Sequence, residues 1–94
     1  MEIQRTEDEN RGSFFVEKDG EKIALMTYSK AGADKIIIDH TEVDPSLKGQ
    51  GVGQKMVFES VKYARENDLK IIPLCPFAKT VFDKNEDYAD VLAW

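Results

Sequence analysis

Three glycines at alternate positions, Gly49, Gly51 and Gly53, follow Lys48 where a β-rich run gives way to an amphipathic one. Glycine carries no Cβ, so its neighbours' N–H groups can approach a bound group closely. The first turn of a helix leaves N–H groups without intrahelical partners and carries partial positive charge. A segment Lys48-Gly49-Gln50-Gly51-Val52-Gly53 that opens a helix is therefore suited to phosphate oxygens. Two familiar phosphate loops fail on spacing. No window reads Gly-x-x-x-x-Gly-Lys-Ser/Thr, and G-x-G-x-x-G would need glycine where Gln54 or Met56 stands. ATP is a poor fit for the same reason, and no metal-holding Ser or Thr follows the loop.

The other residues suited to chemistry are Cys75 and His40, the single cysteine and the single histidine of the chain. These numbers exclude an internal disulfide and a Cys/His zinc site, so no metal is expected. A thiol near a helix start and an imidazole gains thiolate character and nucleophilicity. One reading makes Cys75 an acyl acceptor with His40 as its general base. Another has His40 or Glu42 take a proton from an incoming amine while Cys75 gives one up. The plain alternative is a small buried core residue and a hydrogen-bonded strand residue.

The elements that must position these groups follow from periodicity. Residues 1–12 are polar and end in a turn at Arg11-Gly12. Residues 13–18 and 22–29 read as antiparallel strands joined by the hairpin signal Lys18-Asp19-Gly20-Glu21. A turn at Lys30-Ala31-Gly32 leads to a third strand over 35–43, dense in β-branched residues. From His40 onward, His40 and Glu42 take one face, Thr41 and Val43 the other. A helix is expected over about 51–66, with Val52, Met56, Val57, Val61 and Ala64 as its apolar stripe. A short strand at 69–75 returns after this crossover, so it is expected parallel to the third. Pro76 opens a second helix over 77–83. Residues 88–92 make a last short helical turn, with Tyr88 as a docking aromatic, and Trp94 reads as a fraying end.

Length and composition bound the rest. Ninety-four residues, 41% of them hydrophobic, make one domain over 1–94 with a small core. A formal charge of −5 argues against general affinity for nucleic acid or anionic membrane. The polar start is not a signal peptide, and no apolar run is long enough to span a membrane. A cytoplasmic protein, monomeric or a weak homodimer, is the expectation.

The run Val43-Asp44-Pro45 leading into Lys48-Gly-Gln-Gly51-Val-Gly53 resembles the pyrophosphate loop of the GNAT acetyltransferases, which hold acetyl-coenzyme A. Over residues 13 to about 85 the element order is similar to the central and C-terminal part of that fold. The Gly-Gln-Gly loop and Cys75-Pro76-Phe77 together resemble a subfamily of minimal, single-domain acetyl-CoA-binding chains. The resemblance implies an α/β fold with a mixed, twisted sheet, in which an antiparallel β-meander is followed by α-β-α. It implies splayed parallel strands forming the cleft for the coenzyme. Thr41, Glu42 and Val43 would then pair with the pantetheine arm, and residues Lys48, Gly49, Gln50, Gly51, Val52, Gly53 and Gln54 would hold the pyrophosphate. Lys48 replaces the usual Arg or Gln, keeping the charge but losing the planar fork. Family enzymes commonly protonate the leaving thiolate with a tyrosine; Phe82 occupies that place and cannot. The implied function is acetyl transfer from acetyl-CoA to an amine acceptor, by way of Cys75 or directly. The alternative is a CoA-binding module that senses or partners without turnover.

Overall fold

The computed structural model describes residues 2–93, so Trp94 lies outside the described residues. Strands β1 (Gln4–Glu7), β2 (Arg11–Lys18), β3 (Glu21–Lys30) and β4 (Lys35–Val43) form an antiparallel meander, and β5 (Lys70–Pro73) joins β4 in parallel. The five strands lie in chain order. Helix α1 (Val52–Glu66) makes the crossover from β4 to β5, and α2 (Pro76–Lys84) follows. Short 3-10 segments occupy Pro45–Leu47 and Glu86–Val91.

Both helices cover one face of the sheet. The core joins Phe14, Val16, Ala24, Met26, Tyr28, Ile36, Ile38 and Ile71 from the strands to Met56, Val57 and Val61 of α1 and Ala78, Val81 and Phe82 of α2. The expected α1 stripe is fully buried, each such side chain contributing roughly 1.5–3 kcal/mol. On the other face, Phe15, Leu25, Ile37 and Ile72 stay outside this cluster. No helix covers that face, as an antiparallel meander permits, although Phe15 and Ser13 are buried on it.

Asp19 and Gly20, with φ of 52° and 82°, form the tight hairpin between β2 and β3. The last turn expected at 88–92 is found as the 3-10 segment from Glu86. There Tyr88 packs edge-on to Phe82, with ring centroids 5.9 Å apart. The returning strand is shorter than the expected 69–75: pairing with β4 ends at Ile38 and Pro73.

Two features differ from the sequence expectation. The stretch ahead of Gly12 is not merely a polar lead-in, because β1 forms there with all four residues exposed. It is tied down by Glu7. One carboxylate oxygen accepts from the hydroxyls of Tyr28 (2.7 Å) and Tyr63 (2.9 Å) and from Arg5 (3.1 Å). The other lies 2.9 Å from Lys30 Nζ. Burial pushes this carboxyl up, but the hydrogen bonds from Lys30, Tyr28 and Tyr63 more than offset it and bring it down to about 2. Burial and the bond to Glu7 push the Tyr28 and Tyr63 phenols the other way.

The second feature is a bulge. Thr27 opposes His40 but Tyr28 opposes Ile38, so Asp39 has no partner on β3. The extra residue shifts the alternation of β4. Ile36 and Ile38 face the helices; beyond the bulge Thr41 and Val43 do, opposite the buried Met26 and Ala24. His40 and Glu42 turn to the open face.

Candidate active site

Beyond Ile38 and Pro73, β4 and β5 part. The chain holds the separation at two points. On the β5 side, Cys75 N donates to Ile38 O at 3.1 Å, and Pro76 turns the chain into α2. On the β4 side, Asp44 N donates to Ile23 O and its carboxylate caps the 3-10 turn by accepting from Ser46 N, both at 2.8 Å. That turn aims the glycine loop at the head of α1.

The loop conformation needs glycine. Gly49 and Gly51 have φ of 83° and 67°, in the left-handed region that costs other residues about 1–2 kcal/mol. Gly53 is needed for space: a Cβ there would lie 2.6 Å from the Phe77 ring. The N–H groups of Lys48 and Gln50 already donate, to Pro45 O and Leu47 O. Among the described residues, those of Gly49, Gly51, Val52, Gly53 and Gln54 make no backbone hydrogen bond outside the regular elements, and helix geometry gives the first turn none within α1. The first turn of α1 carries no acidic side chain. The result is a set of convergent donors at the positive end of a 15-residue helix.

A groove of about 330 Å³ runs along these donors. It brings together Thr41, Val43, Lys48, Gly49, Gly51, Val52, Gly53 and Gln54 from the sequence-derived set. It adds Leu47 and Phe77, to which sequence reasoning assigned no part in the site. Phe77 stays 39% exposed, an apolar wall beside the glycines. The signal for it was the pairing of Gly53 with an aromatic, visible only once α1 and α2 are placed side by side. Glu42 and Gln50 do not line this groove. A larger hollow of about 520 Å³ at the β2–β3 hairpin shares only Leu47 with it and carries none of this donor set.

Cys75 and His40 lie on opposite sides of β4. The Cys75 thiol is buried and 3.4 Å from the hydroxyl of Thr41, on the helix side. His40 is exposed on the open face and lines a second groove with Thr6, Ser13 and Thr27. The contact partner of the thiol is therefore Thr41. Phe82 is buried in the core, with the ring of Tyr88 packed edge-on against it. Among the described residues there is no cluster able to hold a metal ion, and no helix is long and apolar enough to cross a membrane.

The model of the GCN5-related N-acetyltransferase domain matches residues 13–91. The chain belongs to this family. The GCN5-related match runs from within β2 through β3, β4, the glycine loop, the crossover and α2, and leaves β1 outside it. Among solved structures, a GCN5-like candidate N-acetyltransferase from Staphylococcus aureus is 41% identical, with 97% of this chain and 86% of that one covered and a TM-score of 0.72. A ribosomal-protein-alanine N-acetyltransferase from Brucella melitensis biovar Abortus is 17% identical (TM-score 0.64), with 93% of this chain and 64% of that one covered. A candidate streptothricin acetyltransferase from Bacillus anthracis, solved with acetyl coenzyme A, is 18% identical (TM-score 0.57), with 70% and 39% covered. The last two are similar in fold alone, and this chain spans well under the full length of either. No curated protein matches the chain.

Proposed function

We propose that this GCN5-related chain binds acetyl coenzyme A at the glycine loop and passes the acetyl group to an amine. The family and the free N–H groups of Gly49 and Gly51 to Gln54 support the first half. The pyrophosphate lies on these donors, with Lys48 beside it. The pantetheine arm runs along Thr41 and Val43 between the splayed strands, held by backbone hydrogen bonds as an added strand would be.

One observation carries the second half: His40 and Cys75 flank the same short stretch of β4, one on each face, just past the end of β4–β5 pairing. A thioester lodged in that gap has an imidazole on the open side and a thiol on the helix side. His40 takes the proton from the amine as nitrogen bonds to the acetyl carbon. The carbon–sulfur bond breaks, and the Cys75 thiol protonates the departing thiolate in place of the tyrosine that Phe82 precludes. Solvent returns a proton to Cys75 and removes one from His40. A thiol donor is matched in acidity to a thiolate leaving group.

A second reading is favoured by the placement of Cys75 at the N-cap of α2 beside the Thr41 hydroxyl. In that case Cys75 attacks the thioester, releases the coenzyme, and yields the acetyl group to the amine. Incubation with acetyl coenzyme A followed by mass spectrometry separates the two. Acetyl on Cys75, absent from Cys75→Ala, supports the relay. Free coenzyme released only when a pool of amines is added, with no adduct, supports direct transfer. Failure of coenzyme A to shift amide resonances between residues 41 and 55 would sink both. Shifts without adduct or release would leave a binding module.

A further inference from the structure

The groove along the glycine loop does not reach the thiol directly. Thr41 lines that groove and Cys75 does not. The Cys75 residue is only 6% exposed, and its side-chain partner is the Thr41 hydroxyl at 3.4 Å. The backbone around the thiol is held from both sides. Cys75 N donates to Ile38 O at 3.1 Å, and Cys75 O accepts from Lys79 N at 3.0 Å.

Thr41 is held as well. It is the register partner of Met26 on β3, and a β-branched side chain has few χ1 choices. On its other side β4 has no strand partner past Ile38. The hydroxyl therefore forms the wall between thiol and groove. A hydroxyl can accept and donate at once. This one accepts from the thiol and, among the described residues, donates to no side chain or carbonyl. Its proton is free for a group in the groove. Of the two β4 residues that line the groove, Thr41 is farther along the chain from the glycine loop than Val43.

We infer that Thr41 is the residue that touches the coenzyme's sulfur and protonates it, with Cys75 behind it as the source of the proton. The inference rests on the acetyl-transfer reading above and sends the proton by way of the hydroxyl rather than straight from the thiol. A coenzyme with its pyrophosphate on the loop and its arm along β4 brings its sulfur end to Thr41. As the carbon–sulfur bond breaks, sulfur keeps the electron pair and takes the Thr41 proton. The Thr41 oxygen takes the Cys75 proton, and solvent restores the thiol. Cys75 is then a positioning residue, because its S–H turns the hydroxyl proton toward the groove.

The test is calorimetry on the full chain with coenzyme A and with desulfo-coenzyme A, which lacks the sulfur. Both are measured at neutral pH and at a pH where the coenzyme thiol is ionised. The wild-type chain prefers coenzyme A, and the preference grows to about tenfold once the sulfur is a thiolate, as a charge-assisted hydrogen bond provides. Thr41→Val binds the desulfo form as before and loses the preference, and Thr41→Ser keeps it. A merely structural role for Thr41 would weaken both ligands together. In Cys75→Ala the preference falls too, since nothing then orients the hydroxyl. A preference intact in Thr41→Val, or absent from the wild type, overturns the inference, while binding of both ligands leaves acetyl transfer standing. Acetyl found on Cys75 after incubation with acetyl coenzyme A also overturns it, because the thiol would then reach the substrate itself. If neither ligand gives heat, the acetyl-transfer reading falls together with this inference.

Discussion

The two ends of α1 are built on opposite plans. At its C-terminal end several polar groups are paired across the fold. Tyr63 donates to Glu7, Asn67 caps Ala64 O and Tyr63 O, and Arg65 holds Asp90 through two hydrogen bonds of 2.9 and 2.8 Å. At its N-terminal end the backbone donors are spare, the cap is a left-handed glycine without a side chain, and an aromatic stands half-exposed beside it. One end spends its hydrogen bonds on the fold. The other withholds them, and stability given up there is what a ligand can recover. Binding and folding are thus assigned to different ends of one helix.

Breaking the anchored end should have the largest effect. Glu7→Leu strands two phenols and two cations and is expected to lower unfolding free energy by about 3 kcal/mol in urea titration. Coenzyme affinity should hardly move, because the loop lies at the far end of the helix. The same anchor predicts an acid response. The Glu7 carboxyl is lowered from its ordinary 4.5 to about 2. Its stabilisation is therefore complete above the ordinary value and is lost as pH falls from there through the folded one. In Glu7→Gln that part of the acid denaturation curve should flatten.

At the withheld end the order reverses. Gly51→Val forces a β-branched residue to positive φ, costing about 1–2 kcal/mol of stability but more than tenfold in coenzyme binding by calorimetry. A smaller effect is expected from Gly53→Ala, about 1 kcal/mol, because the added methyl meets the Phe77 ring. Phe77→Ala should relieve most of that cost, so the double variant departs from additivity, which a thermodynamic cycle measures. The smallest change is Thr41→Val. It leaves stability within about 0.5 kcal/mol yet alters the rate at which Cys75 is alkylated. If Gly51→Val proved costly to the fold and neutral to binding, the division between the two ends would be wrong.

The legible parts of the sequence were those where one residue type answers one local demand. Asp19-Gly20 announced the hairpin, the loop glycines announced a helix head with spare donors, and the α1 stripe announced a single buried side. The illegible parts depend on distance along the chain. β1 has no apolar alternation, and its glue joins Glu7 to residues 21 and 56 positions away. The contact between Gly53 and Phe77 bridges two helices. Thr41 was read as a backbone partner for a coenzyme arm, and nothing local said that its hydroxyl would meet Cys75. Likewise, the types of His40 and Cys75 suggest a base and a thiol acting together, but which side of β4 each occupies depends on packing around the bulge.

Asp39, the unopposed residue of β4, has a consequence for how this site can vary. Upstream, even-numbered positions face the helices; downstream, odd-numbered ones do. Removing that single residue would keep Ile38 opposite Tyr28 and His40 opposite Thr27, so the pairing becomes regular with the imidazole still outside and the threonine still inside. Intermediate arrangements do not exist, since a pleat has only two sides. What would reverse the display is the bulge being lost with the length kept: pairing Asp39 with Thr27 would turn the imidazole inward and the threonine out.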